Sequence, residues 1–483
     1  MSENGSVLKA GIWYTIGNFL IKGIGFITMP LFTRILFPEQ IGEFSNMSSW
    51  LALLAIITTL DLYTTMDIAR FDFKNNFDEY KTSILVLSSL FTLGCYIFCV
   101  IFKQWTLQIF GFTDIQLHVT FLYLLSYPAI LIYQKDKQYI YDSKSIIVIS
   151  ILTAGLSTFV SLGCVLLFSD RLLGRILGYY IPMIIINSIL CFLIIKKSRV
   201  VRLKYWKYAV PIAVPLVFHL LAGYVLNSSD ILMIKHFQGA SETAYYSVAA
   251  SLGAIVQILW TSMNSAWAPW SLKMMNECRQ VELKKYSKPY AIGFMIIVIA
   301  AMMVSPEVLW ILGGKEYSDA KYVIPPIMVG YILQFMYSMY VNVELYLKQQ
   351  KTIMFGTMIA AVLNLVLNYI FLPRFGYVAA AYTTCVCYLA LFIIHYLAVK
   401  YKSDIEWYDG RFILVLVGIA LMSMVLLIHL YKYNFVRWSI IGVFGFCVGI
   451  AIIRYRKKIL ESIKTRSLVP IIECIKSEKS EDM

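Results

Sequence analysis

Residues Gly11 to Ser45 read GIWYTIGNFLIKGIGFITMPLFTRILFPEQIGEFS. The segment 11–36 is apolar except for Lys22, Arg34 and a few small polar side chains. A run this long exceeds the roughly 20 residues that carry a helix across about 30 Å of hydrocarbon. It is too long for a signal-peptide core and shows no small-residue cleavage site, so it is read as a retained helix. A helix is required because lipid offers no partner for an unpaired backbone group.

The rest of the chain repeats this unit, an apolar run followed by a short polar break. Spans are expected at 11–36, 47–69, 82–102, 115–134, 146–168, 174–195, 208–234, 244–271, 290–312, 322–346, 352–372, 377–399, 412–430 and 438–453. The fold class is thus an all-α integral membrane protein of about fourteen transmembrane helices. Composition agrees: 59% of the 483 residues are hydrophobic and 14% are charged, against about 25% charged in soluble domains. Mean hydropathy is +0.71. The net charge of +14 does not indicate nucleic acid, because the basic residues form no face and sit in alternate loops. The N-terminus, the even-numbered loops and the C-terminal tail hold 31 Lys and Arg, and the odd-numbered loops hold 9 when Arg175, at the edge of the sixth span, is counted with them. The positive-inside rule then expects both termini in the cytoplasm. The tail from Arg454 is expected to be solvated and to touch anionic headgroups. The nine cysteines show no metal spacing and are expected to be packing residues, Cys278 and Cys474 lying in basic segments.

The chain also resembles itself. Gly42-Glu43-Phe44-Ser45 aligns with Ala244-Tyr245-Tyr246-Ser247, and Arg171 roughly with Arg374. The expected organisation is an N-terminal six-helix bundle (1–200), a second six-helix bundle (201–400), two additional helices (401–453) and a basic tail (454–483). Six being even, the halves enter in the same orientation, as parallel repeats about an axis along the membrane normal. Such halves enclose a central cavity.

Three stretches carry a family resemblance. Gly17, Asn18, Pro30-Leu31-Phe32-Thr33-Arg34 and Pro38-Glu39-Gln40-Ile41-Gly42 look like the opening of the Wzx-type O-antigen and capsule flippases. These belong to the multidrug/oligosaccharidyl-lipid/polysaccharide superfamily. Leu226-Asn227-Ser228-Ser229-Asp230 is again similar, although Ile231 stands where many members have a basic residue. Lys351 to Thr384 resembles the family's Lys-Thr, Asn-x-x-x-Asn, Pro-x-x-Gly and small-small-x-Thr pattern. The resemblance implies a fold shared with the lipid II flippase MurJ and the MATE exporters. It also implies a substrate, an oligosaccharide on undecaprenyl pyrophosphate, moved from the cytoplasmic to the outer leaflet of the bacterial inner membrane for O-antigen or capsule synthesis. A polysaccharide polymerase and a chain-length regulator are the further partners it implies, beside the phospholipid bilayer. No cofactor and no nucleic acid are expected, and coupling to protons, sodium or the membrane potential is left open.

Moving a pyrophosphate and sugars through lipid requires a hydrated cationic lumen, because an unshielded charge is very costly there. Lys22 is the leading candidate. It lies about 16 Å into the first span at 1.5 Å per residue, too deep to snorkel easily, and such groups are paired or line pathways. Asp61, in the second span, is its expected partner. Arg34 is either an outer phosphate contact or an interface anchor. Asp67 and Arg70, three apart, read as a helix-surface pair or an inner gate. Asp230 and Asn227 read as substrate or cation contacts, or as a polar seam between the two bundles. Asn342 and Glu344 are interface or gate residues, and Asn364 and Asn368 share one helix face. His219 and His395 are expected to be structural. Tyr224, Tyr337 and Tyr340 are candidates for stacking on sugars, most other Tyr and Trp forming interface belts. Pro30, Pro128, Pro182, Pro211, Pro215, Pro325 and Pro326 are expected to break helices, as suits a carrier.

Two rival functions are weighed. A MATE-like multidrug/cation antiporter would need acidic residues where the deep first-span charge is basic. A polysaccharide polymerase would need a long outer loop and paired acids or a His constellation, which are not apparent. No catalytic or metal residue is therefore assigned.

Overall fold

The computed structural model describes residues 23–140, 142–443 and 446. Gly17, Asn18 and Lys22, Cys447 and Cys474, most of the fourteenth span and the tail lie outside the described residues. The chain divides into two compact units, 1–424 and 425–483. Apart from the end of α15, everything below concerns the first.

The helices are α1 (Gly23–Ile35), α2 (Pro38–Thr59), α3 (Met66–Asp72), α4 (Phe77–Ile101), α5 (Lys103–Phe110), α6 (Asp114–Tyr139), α7 (Ser143–Leu167), α8 (Arg171–Lys197), α9 (Leu203–Gln238), α10 (Ala240–Asn276), α11 (Gln280–Gly313), α12 (Ile324–Tyr346), α13 (Gln350–Phe375), α14 (Val378–Lys402) and α15 (Gly410–Leu430). Among the described residues, 12 helices are long and apolar enough to cross a membrane. They match the second to the thirteenth expected spans. Leu167, Phe192 and Phe218 are among many large apolar side chains exposed on the outside, a surface suited to lipid rather than water.

Local signals set the helix ends. Thr113 and Gln116 form a reciprocal capping box at the start of α6. The carboxylates of Asp142 and Asp170 accept from Ser145 N and Leu173 N, each at 3.1 Å, and so cap α7 and α8. The Asp142 carboxyl is held at about 2 by hydrogen bonds from Ser145 and Lys137. At the end of the molecule that carries the basic loops, Lys284 and Lys288 bind Glu406 and Asp409, each at 2.7 Å.

Four expectations need correction. The second span runs from Pro38 to Thr59 rather than 47–69. Pro38 starts it, and the chain stops being helical where Leu60 and Asp61 take left-handed φ values of 50° and 49°. Asp61 therefore sits in a break between α2 and a short 3-10 turn, not within a helix. Pro325 and Pro326 occupy the first turn of α12, where a missing N–H costs nothing. Pro30, Pro128, Pro182, Pro211 and Pro215 lie inside helices that continue past them. His219 is exposed on α9 rather than packed.

α2 and α10 pack against each other at the end away from the basic loops. A Cβ on Gly42 would stand 1.8 Å from the Ala240 carbonyl oxygen, so only glycine permits that approach. Beside it, Glu43 and Lys235 form a salt bridge. Ser45 and Ser247, 202 residues apart, place their hydroxyl oxygens 3.0 Å from each other.

Candidate functional site

α1, α2, α8, α9 and α10 line a partly open cavity of about 330 Å³. Its apolar wall includes Met29, Phe32, Leu36 and Phe44. Its polar wall is made of hydroxyls from Thr33, Ser45, Ser48, Ser49, Tyr224, Ser228 and Ser247, with one cation, Arg175.

Arg175 was grouped with the outer loop in the charge count, but it lies one turn into α8, which begins at Arg171. The neighbouring glycines place it. A Cβ on Gly174 would stand 2.6 Å from Cys164 O, and one on Gly178 would stand 2.5 Å from Ser161 Cα. The two glycines thus bring α8 hard against α7. Ser161 Oγ then donates to Arg175 O at 3.0 Å and accepts from Arg175 Nη1 at 3.1 Å. The guanidinium lies 3.4 Å from the Phe32 ring centroid and 4.4 Å from that of Phe44. No carboxylate among the described residues pairs with it. A cation held by rings and a hydroxyl and facing a cavity has the chemistry to pair with an anion. The signal in the sequence was the Gly174-x-x-x-Gly178 spacing around Arg175, which marks close helix packing rather than a loop.

The expected site residues fall in several places. Arg34 is exposed, and its Nη1 donates to Pro30 O at 2.8 Å. Asp61 is buried, accepts from Thr64 Oγ1 at 3.0 Å, and has no partner for Oδ1. Its pairing with Lys22 lies outside the described residues. Asp67 and Arg70 do not pair with each other. Asp67 binds Lys135 at 2.8 Å and Arg70 binds Asp136 at 3.1 Å. Both reach across to α6, where sequence spacing within one helix could not place them. Asp136 also accepts from Lys81 and lines a second cavity, about 500 Å³, with Lys81, Lys137, Lys196 and Lys197.

Asp230 is 3% exposed and takes no part in the cavity, although Ser228 does. Its carboxylate accepts from Tyr246 OH at 2.6 Å, Asn368 Nδ2 at 2.7 Å and Thr384 Oγ1 at 2.8 Å. Asn364 accepts from Ser229 at 3.1 Å and from Asn368 at 3.2 Å. The network joins α9, α10, α13 and α14. It is thus a seam within residues 203–402, not between the two expected bundles. Its oxygens are of the kind a hard cation takes, with Asp230 the single carboxylate. Among the described residues no cluster of three His, Cys, Asp or Glu side chains forms a metal site. Asn227 accepts from Tyr388 OH at 2.5 Å. Asn342 donates to Asn264 at 3.4 Å, and Glu344 pairs with His395 at 2.7 Å. Of the three tyrosines considered for sugars, Tyr224 alone lines this cavity, with its hydroxyl donating to Ser49 O.

The family model described as "Polysaccharide biosynthesis protein" matches residues 7–275, more than half of the chain. The chain belongs to that family. It is 22% identical to Lsg locus putative protein 1 of Haemophilus influenzae over 371 residues, 72% of this chain and 86% of that protein. It is 25% identical to the probable low-salt glycan biosynthesis flippase Agl15 of Haloferax volcanii over 198 residues, 39% of this chain and 42% of that protein. Its fold is that of the lipid II flippase MurJ in an inward closed conformation, with TM-score 0.67 and 14% identity over 93% of this chain and 100% of MurJ. An inward-facing MATE multidrug transporter is also similar, with TM-score 0.60 and 14% identity over 81% of this chain and 98% of that one. The chain is therefore an all-α multi-pass membrane protein of the MATE/MurJ type, from a polysaccharide biosynthesis family.

Proposed function

We propose that the protein flips undecaprenyl-pyrophosphate-linked oligosaccharides from the cytoplasmic to the outer leaflet of the bacterial inner membrane. The observation that carries this reading is Arg175, a cation with no carboxylate partner among the described residues, facing a largely apolar cavity that five helices line and that also carries hydroxyls. A pyrophosphate supplies the missing anion, and the serine and threonine hydroxyls and Tyr224 suit sugar hydroxyls. The polyprenyl tail needs no polar site and stays in lipid. Family membership and the glycan-flippase name of the Haloferax relative support the same substrate class.

The basic loops face the cytoplasm by the positive-inside rule. The contacts at Gly42, Glu43–Lys235 and Ser45–Ser247 then close the outer end. Alternating access requires that seal to part and reform while the cavity stays loaded. Ser45 and Ser247 align in the internal sequence repeat, and residues equivalent in a two-fold arrangement meet on its axis. Their contact supports two parallel halves, 1–200 and 201–400, rocking about that axis. Lys22, the leading candidate from the sequence, is proposed as a second pyrophosphate contact in this scheme.

The test is export. Deleting the gene should leave lipid-linked repeat units on the cytoplasmic leaflet, and the wild-type chain should restore surface polysaccharide. Restoration by an Arg175→Ala chain at equal abundance would remove the main support for the assignment. A drug-export role would show instead as altered drug tolerance with normal polysaccharide.

A further inference from the structure

Glu344 and His395 are both fully buried, and Glu344 Oε2 lies 2.7 Å from His395 Nδ1. Each has a second polar atom with nothing to bind: Glu344 Oε1 and His395 Nε2 are buried without hydrogen-bond partners. Gln349, whose backbone N–H donates to Glu344 O at 2.8 Å, adds a third such atom, Oε1. Buried polar atoms are nearly always satisfied, and a shared vacancy on two titratable groups is an exception to be explained. With Nδ1–H donating to the carboxylate, both free atoms are lone pairs facing a protein interior. Each is a proton acceptor.

The side chains packed around the pair are mostly uncharged. Tyr337 of α12 stacks over the His395 ring at 5.5 Å. Gly356 of α13 approaches so closely that a Cβ there would stand 3.2 Å from His395 Nε2. α10 presents Trp260 and Asn264, which are bound to Ser338 and Asn342. α11 presents Phe294, stacked on Phe335. The charges nearest in sequence are Lys348 and Lys351 at the basic end of α12 and the start of α13, with Lys402 of α14 donating to Thr352 there. Glu344 is two residues from the end of α12, about 3 Å at 1.5 Å per residue. Water on the basic side is therefore near.

We propose that Glu344 and His395 form a proton-binding site that drives the transport cycle. The proposal rests on the flippase reading for what is driven, not for the proton site itself. With one proton on Nδ1 the pair carries net −1. It takes one proton from water on Glu344 Oε1 and becomes neutral. The same proton leaves when the site is next exposed to water, so nothing else is consumed. A buried net charge is costly, which ties the loaded state to the closed packing of α12 on α14.

A contiguous path leads from this pair to the cavity. Tyr337 stacks on Tyr388 at 6.4 Å, and Tyr388 OH donates to Asn227, which adjoins the cavity residue Ser228. A shift of the His395 ring moves Tyr337 and thus the α9 turn that lines the substrate cavity.

Two measurements test this on the full-length purified protein. Infrared difference spectra between alkaline and acid pH should show a protonated-carboxyl band in wild type that Glu344→Gln removes. Gly356→Ala, which keeps both groups but crowds His395 Nε2, should shift the midpoint of the band's titration without removing it. A band unchanged in Glu344→Gln overturns the proposal. In proteoliposomes, a fluorescent undecaprenyl-pyrophosphate disaccharide should redistribute up to about tenfold between leaflets per pH unit imposed, the ratio for one proton. Glu344→Gln and His395→Gln should give the same distribution with or without the gradient. Wild-type movement indifferent to the gradient overturns proton coupling and leaves the flippase reading standing. Absence of wild-type movement fails the flippase reading, and the infrared band then decides the proton site alone.

Discussion

Replacing Arg175 separates its chemistry from its packing. The guanidinium lies against Phe32 and Phe44 and binds Ser161. Ring contacts of this kind are worth about 0.5 to 2 kcal/mol, so Arg175→Ala should lower the thermal midpoint only modestly. The loss at the substrate should be larger. A pyrophosphate oxygen at about 4 Å gains roughly 4 kcal/mol from a unit charge at an effective dielectric near 20. That corresponds to a loss of roughly a thousandfold in occupancy on removal. Arg175→Lys keeps the charge but loses the planar fork and the stacking, and should fall about tenfold. Arg175→Gln keeps a donor for Ser161 without the charge, and should resemble alanine. The assay is surface polysaccharide per unit of membrane-inserted protein, alongside the melting midpoint in detergent. Alanine and wild type exporting equally at equal abundance would refute the role of the charge. A glutamine variant exporting like lysine would refute it too.

Other outcomes follow from the same structure. A Ser45→Cys/Ser247→Cys chain should cross-link under oxidation, because the native hydroxyls lie 3.0 Å apart, and export should stop until a reductant is added. Asp230→Ala leaves the donors of Tyr246, Asn368 and Thr384 without their acceptor. At about 1–3 kcal/mol for an unsatisfied buried group, its melting midpoint should drop by several degrees, whereas Asp67→Ala, which breaks a surface pair, should cost at most about 1 kcal/mol. Asp142 has its pKa lowered from 3.8 to about 2, so its stabilisation of the folded state is complete above the unfolded value and is lost as pH falls between the two. Asp142→Ala should cost about 1 kcal/mol at neutral pH and converge with wild type in melts near pH 2.

Helices were legible because a 20-residue apolar run has few other uses. Their ends were less so. The break at Leu60 and Asp61 uses left-handed backbone without glycine or proline, so nothing local announces it. Spacing along one helix suggested that Asp67 meets Arg70, but each finds a nearer partner on α6. Asn364 and Asn368 were correctly placed on one face, while their link to Asp230 depends on how three other helices pack. Arg175 stands at the edge of the expected span 174–195, so charge counting groups it with the outer loop, because a count sees position and not direction. Glu344 and His395, 51 residues apart, each looked unremarkable alone. Their meaning comes from contact, which a single sequence does not contain.

The most direct test of the flippase reading uses purified protein in liposomes carrying a fluorescent undecaprenyl-pyrophosphate disaccharide in both leaflets. A membrane-impermeant quencher reads the fraction outside. In protein-free vesicles it should stop near the outer-leaflet share. With the wild-type chain the remaining fluorescence should become accessible with time, and with Arg175→Ala it should stay protected. Protection in wild-type vesicles equal to that in protein-free vesicles would contradict the assignment.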